Sequence, residues 1–304
     1  MPMGRGFGPL FSSRGALLRC QWCSNPFGLA SRPQLVVNPA KCTGCGRCVE
    51  SCPQGVNTVA PGEKVGGGLF RLHRLRAPAC PACPAGQGPS PVRPTLPVSC
   101  TRRRPRTAAF YRKGGGGVTL SGGEVLLQYE VAAETLRLCR TNYLNTCIET
   151  SAYAPWDHLW QVAQYCHTVF VDLKHMDSAQ HQAMTGVGNE VILDNLTRLC
   201  RELPRRGGKV IVRMPLIPGY NDDDEAVAAG ARFVAGLENA PELNLLPYHN
   251  LGESKYEMIG EDYPLPGLAS RKGRDPRLLA IQALCQRLAP HNRVSLGGDA
   301  IDLT

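Results

Sequence analysis

Thr168-Val-Phe-Val-Asp172-Leu-Lys174 reads as a β-strand that ends on charge: β-branched and aromatic residues run into an acid and then a base. Helical periodicity lies on both sides of it, over residues 156–165 and 178–184. A strand set between two helices is the repeating unit of a parallel sheet. Working outward, the same alternation continues. Residues 118–121, 146–150, 209–216, 243–249 and 293–296 read as further strands, and 130–140, 191–203, 222–237 and 276–288 as helices. Acids open the helix at 222–237, where they suit the helix dipole. Six such units predict an α/β fold, an open or closed barrel of parallel strands.

In parallel βα architectures, functional groups gather at the carboxyl ends of the strands. Gly122-Gly123-Glu124, Glu149, Asp172 with Lys174, Arg213, and Tyr248-His249 all fall at such ends. One polar group there is easily a helix cap. Repetition on five successive strands marks a site.

Upstream of the strands lies Leu18-Arg-Cys20-Gln-Trp-Cys23-Ser-Asn-Pro26. Two thiolates on one tight loop can hold a soft metal centre. Next comes Cys42-Thr-Gly-Cys45-Gly-Arg-Cys48-Val-Glu-Ser-Cys52-Pro53, the ferredoxin spacing for a 4Fe–4S cluster. A zinc knuckle would show two separated pairs or histidines instead. A second ferredoxin run is not intact. Residues 66–108 hold Cys80-Pro-Ala-Cys83 and Cys100 among prolines, glycines and arginines, with no helical or alternating period. The remaining cysteines, Cys139, Cys147, Cys166, Cys200 and Cys285, read as small buried hydrophobes. Fourteen cysteines in tight pairs and singles suit metal ligation in a reducing compartment, and the expected location is the cytoplasm.

The net charge of +9 is local. No acid occurs between Glu63 and Glu124, while Lys64 to Lys113 supply 11 basic residues. Setting those aside leaves 23 basic against 25 acidic residues, with no basic face interleaved with aromatics. Nucleic acid is therefore not an expected partner. No apolar run is long enough to cross a membrane.

From Val118 to Gly298, together with the cysteine loop, the chain resembles the activating enzymes of glycyl-radical enzymes, a branch of the radical S-adenosylmethionine (SAM) proteins. The resemblance implies a partial (β/α)6 TIM-like barrel of the radical SAM type with a ferredoxin-like iron–sulfur insert. Residues 1–33 would be the N-terminal strand and cluster loop, 34–109 the insert and 110–304 the barrel. Ser121-Gly122-Gly123-Glu124 is similar to the family's Gly-Gly-Glu-Pro element, which holds the SAM amino group, with Val125 in place of proline. Asp172-Leu173-Lys174 is similar to its Asp-x-Lys element, which contacts the methionyl and ribose groups. His181-x3-Thr185-Gly186, Arg213-x-Pro215-x2-Pro218-Gly219-x-Asn221-Asp222 and Leu246-Pro-Tyr248-His249-Asn-Leu-Gly252-x2-Lys255-Tyr256 match as well. Implied cofactor-binding residues are Gly122, Gly123, Glu124, Asp172, Leu173, Lys174, Arg213 and His249. Implied metal ligands are Cys20, Cys23, Cys42, Cys45, Cys48, Cys52, Cys80 and Cys83.

The implied activity is reductive cleavage of SAM at a 4Fe–4S cluster. The resulting 5′-deoxyadenosyl radical takes hydrogen from a backbone glycine of a partner glycyl-radical enzyme. One or two further clusters in the insert would relay electrons from a donor such as flavodoxin or ferredoxin. The other reading is a non-catalytic iron–sulfur protein on the same scaffold.

The family's loop carries Cys-x3-Cys-x2-Cys, and here its first cysteine falls on Ala16. A gene segment encoding Val-Phe-Leu-Lys-Gly-Cys, read one base late, yields Phe-Ser-Ser-Arg-Gly-Ala, which is residues 11–16. A similar one-base shift at residues 71–76 yields the start of a second ferredoxin run. Residues up to about 16, and 66–108, are therefore expected to be out-of-frame translation, which resequencing checks.

Overall fold

The computed structural model describes residues 10–31, 40, 42, 44–50, 116–273 and 275–297. Seven parallel strands form one sheet in the order β1 to β7: Leu10–Ser13, Gly117–Gly122, Asn145–Thr150, Thr168–Asp172, Lys209–Leu216, Glu242–Pro247 and Val294–Leu296. Each strand pairs with the next one in sequence, which is the winding of a βα barrel. Among the described residues β1 and β7 do not pair with each other, so the barrel is partial. The six expected barrel strands are all present, and β1 extends the sheet by pairing Leu10 with Thr119 through to Ser13 with Gly122. The N-terminal strand therefore belongs to the barrel's own sheet.

The strands are parallel and covered, so their residues run apolar with few breaks. Ile148, Val169, Val171, Val212, Leu243 and Leu245 are sealed from solvent against Leu136, Leu159, Leu196, Leu199, Val227, Val234, Leu278 and Ile281 of the helices. Each such side chain contributes roughly 1.5–3 kcal/mol relative to exposure. Helix starts are set by side-chain caps. Asp177 accepts from Gln180 N, Asp223 from Ala226 N, and Asp275 from Arg277 N, each at 2.8 Å. Gly186, at φ 88°, ends the helix Ser178–Thr185 in the left-handed conformation.

Helix bounds lie within two residues of expectation, and Pro276–Leu288 coincides with it. The strand expected over 168–174 stops at Asp172, although Leu173 N still donates to Arg213 O at 2.8 Å. The short helix Glu253–Glu257 was not foreseen, because five residues carry too little period to register. Cys139, Cys166, Cys200 and Cys285 are buried in the core, and Cys147 is half-buried. Burial pushes the Cys147 and Cys200 thiols up to about 12, which favours the protonated thiol over the thiolate. Cys52, Cys80, Cys83 and Cys100, and the segment 66–108, lie outside the described residues, as does the side chain of Cys48. No described helix is long and apolar enough to cross a membrane.

Candidate active site at the carboxyl ends of the strands

The strand ends and the cysteine loop enclose one cavity of about 670 Å³, a volume suited to a cofactor-sized ligand. Cys20, Cys23, Gly122, Gly123, Glu124, Asp172, Lys174, Arg213 and His249 all line it. Residues foreseen from separate strands are thus brought to one place. Leu173 is the exception. Side chains alternate across a strand, so with Asp172 and Lys174 facing the cavity Leu173 faces the helices, buried in the core. Its N–H is already used by Arg213 O, so its side chain and amide belong to the scaffold. Cys42 and Cys45 do not line this cavity.

The cysteine loop is fixed by hydrogen bonds to two distant helices, Ser178–Thr185 and Glu253–Glu257. Arg19 N donates to Thr185 O at 2.6 Å and Gln21 N to Met184 O at 3.1 Å. Lys255 Nζ donates to Ser24 O at 2.7 Å. The segment His181–Gly186 therefore serves as the loop's platform: buried His181 bonds Val187 O through Nδ1 at 2.7 Å, which holds the platform in turn. Asn221 has a similar scaffold role. It accepts from Ile217 N at 2.7 Å and donates to Lys174 O at 2.8 Å, closing the turn after β5. A wall of Tyr248, Tyr256 and Tyr263 packs against Trp22 and Cys23, with the Tyr248 and Tyr263 hydroxyls 2.9 Å apart.

Gly123 permits the loop's closest approach. A Cβ there would sit 2.1 Å from Gly15 O and 2.6 Å from Gly28 O, closer than any real contact. Glu124 follows, and it is buried at 3% exposure. Its N–H donates to Gly15 O at 2.6 Å. Its Oε1 accepts from Leu126 N at 3.2 Å and Thr150 Oγ1 at 2.6 Å. Its Oε2 accepts from Ser151 N at 2.9 Å and Ser151 Oγ at 2.5 Å. A carboxylate offers about four acceptor positions, and all of them are taken. Glu124 thus locks the end of β2 to the end of β3. Ala152, fully buried with φ 58°, makes the turn that presents Thr150 and Ser151. Asn195 holds that turn by donating to Ala152 O and Ala154 O, both at 2.8 Å. No pattern in the sequence pointed to Thr150, Ser151, Ala152 or Asn195.

A second network crosses the cavity floor. Lys174 Nζ lies 2.8 Å from Asp172 Oδ2. Arg213, the cross-strand partner of Asp172, bonds Asp172 Oδ1 through Nε and Nη2 at 2.9 Å each, and Glu149 Oε1 through Nη1 at 3.2 Å. Ser121 Oγ donates to Glu149 Oε2 at 2.6 Å. Burial would push the Asp172 carboxyl up, but Arg213 and Lys174 outweigh it and bring the group down to about 2. For Lys174 burial acts downward and is again outweighed, chiefly by Asp172, so the ammonium is held above its usual range. Lys174 is 7% exposed, a buried charge and not a rim charge. Burial pushes the Cys20 thiol up to about 11, with Lys174 pulling it back.

These parts fit SAM: the backbone edge at Gly122-Gly123, two carboxylates with one lysine and one arginine, and a cavity of suitable size. They fit a 4Fe–4S cluster less well, because the described lining offers two thiols, Cys20 and Cys23, with Ala16 beside them.

A parallel βα sheet with a cysteine loop over its strand ends defines the class, and the comparisons agree. The Radical SAM superfamily matches residues 79–229, and the 4Fe–4S binding domain matches residues 35–56. The chain is 36% identical over 272 residues to the choline trimethylamine-lyase activating enzyme of Oleidesulfovibrio alaskensis, covering 87% of this chain and 85% of that one. It is 36% identical over 282 residues to the isethionate sulfite-lyase activating enzyme of Desulfovibrio desulfuricans, covering 88% and 86%. Among solved structures, SuiB of Streptococcus suis bound to S-adenosylmethionine shares the fold at a TM-score of 0.50 and 15% identity, covering 95% of this chain and 49% of that one. The chain belongs to the radical SAM activating enzymes of glycyl-radical enzymes.

Proposed function

We propose that the cavity binds SAM and that the chain activates one glycyl-radical enzyme by taking hydrogen from a backbone glycine. The observation that carries this is the meeting of five strand ends and the cysteine loop on one cavity. When bound, the cluster and SAM would supply the reductive cleavage chemistry; the protein contributes binding, orientation and exclusion of water.

Within that division, the Gly122-Gly123 edge lets backbone approach the ligand's amino group, and Glu124 fixes the edge by spending its own acceptors on Thr150, Ser151 and Leu126. Glu149 and Asp172 offer carboxylates, and Lys174 and Arg213 offset them. His249 is exposed at the cavity, where an incoming segment would meet it. The two relatives named above act on different partners at equal identity, so identity does not select this chain's partner.

The reading divides the chain into 1–33, 34–109 and 110–304. Cys42, Cys45, Cys48 and Cys52 would hold a cluster, with Cys80 and Cys83 as further ligands. An external donor such as flavodoxin or ferredoxin would supply the electron, and the thiol-rich composition suits the cytoplasm.

Equilibrium dialysis of SAM tests the site. Charge-assisted contacts are worth roughly 1.5–3 kcal/mol, so Lys174→Ala should weaken SAM binding by about tenfold or more. Unchanged affinity in Lys174→Ala and Arg213→Ala together would remove SAM from this cavity.

A further inference from the structure

Cys20 and Cys23 are the thiols lining the cavity among the described residues. Iron–sulfur cubes are held by about four cysteine thiolates, one per iron. Even with one iron left for a small-molecule ligand, two thiolates leave a second iron without a protein ligand. Ala16 lies four residues before Cys20 and lines the same cavity. Its position is held from both sides: its own N–H donates to Leu29 O at 3.3 Å, and the preceding carbonyl, Gly15 O, accepts from Glu124 N at 2.6 Å. Its φ is not in the left-handed region, unlike that of Gly15 at 90°. A side chain longer by one sulfur is therefore compatible with the backbone there, and the cavity has room for it.

We propose that this chain carries a two-thiolate iron–sulfur site, labile as it stands, and that Ala16 is the position that decides whether a 4Fe–4S cluster is retained. The inference rests on the cluster reading of the cavity. Ala16 shares the cavity with both thiols, and the bonds that hold its backbone, Ala16 N to Leu29 O and Glu124 N to Gly15 O, do not depend on the side chain at 16. The deficit is one sulfur atom and not a collapsed loop.

The test uses the full chain in a Cys42→Ala/Cys45→Ala background, which reduces iron bound elsewhere. Parent, Ala16→Cys, Ala16→Ser and Cys20→Ala forms are reconstituted anaerobically with ferrous iron and sulfide. Iron per chain and the decay of visible charge-transfer absorbance under a chelator are then measured. Losing outer partners of a metal ligand already costs 10–100-fold in affinity. Ala16→Cys, which adds a direct ligand, should slow iron loss by at least about tenfold, while Ala16→Ser should not. A small exogenous thiol, 2-mercaptoethanol, should slow iron loss in the parent and do little in Ala16→Cys, and its effect on the parent does not depend on a substitution at position 16 folding.

If the parent already retains as much iron as Ala16→Cys, and Cys20→Ala removes it, the site finds its third ligand elsewhere and the proposal is overturned. If Cys20→Ala changes nothing in either background, no cluster forms in the cavity and the cluster reading itself fails. Binding of SAM, measured separately by dialysis, distinguishes that outcome from loss of the SAM site.

Discussion

Arg213 grips Asp172 across the β4–β5 pair with two N–H groups on one carboxylate oxygen, both at 2.9 Å, while its third nitrogen reaches Glu149 on β3. One guanidinium thus spans three neighbouring strands at the cavity floor. Arginine suits this because its planar fork fixes direction as well as charge. Arg213→Lys should therefore behave almost as badly as Arg213→Ala, with SAM affinity, read by dialysis, down by about tenfold. A lysine that preserved full affinity would show that only the charge matters.

The same pair predicts an acid transition. The Asp172 carboxyl falls from its ordinary 3.8 to about 2 in the folded chain. A lowered acid stabilises the fold above its unfolded pKa, and that stability is lost as pH drops through the folded value. The contribution is roughly 2 kcal/mol, withdrawn between about pH 4 and pH 2. Urea unfolding across this range should show a slope that Asp172→Asn removes. A slope that persists unchanged in the variant would assign it to other carboxylates.

Asn195 acts on the site only through the turn at Ala152. It is buried and gives both amide hydrogens to that turn. Asn195→Asp would place a carboxylate against two carbonyl oxygens, and Asn195→Leu would leave those carbonyls bare. Each should cost about 2–3 kcal/mol by denaturant unfolding. SAM affinity should fall in Asn195→Leu even under conditions where the variant remains folded, because Thr150 and Ser151 would no longer be held against Glu124. Retained affinity in a fully folded variant would reduce Asn195 to a core residue.

Gly123→Ala should detach the cysteine loop from β2, since the added carbon meets Gly15 O and Gly28 O at once. Hydrogen exchange at Ala16, Gly28 and Glu124 should speed up together, as all three amides bond within this junction. Protection that survives the substitution would show that the backbone can give way there.

The strands were legible because Val, Ile and Phe runs end on charge, and the cavity lining was legible because those ends are polar: Asp172, Arg213 and Glu149 were all visible that way. The motif residues His181 and Asn221 were visible too, but the structure gives them hydrogen bonds to backbone and not a place in the cavity. Leu173 was drawn into the site by adjacency alone, and strand alternation turned it away. Asn195 sits in a helix whose periodicity describes only its apolar residues, so a single buried amide left no trace. A left-handed alanine at position 152 is equally silent, because the residue type gives no sign of the conformation.

The bond from Lys255 to the carbonyl of Ser24 closes a separation of 231 residues. During synthesis at about 5–20 residues per second, the loop bearing Cys20 and Cys23 would leave the ribosome roughly 10–45 s before its last anchor exists. Its platform at Met184 and Thr185 arrives earlier, yet still after three more strands. The two thiols therefore spend most of translation without the full set of contacts that later holds their loop. A thiol-modifying reagent should therefore reach Cys20 and Cys23 more readily in ribosome-bound chains that end before residue 255 than in the finished chain, where both are half-buried.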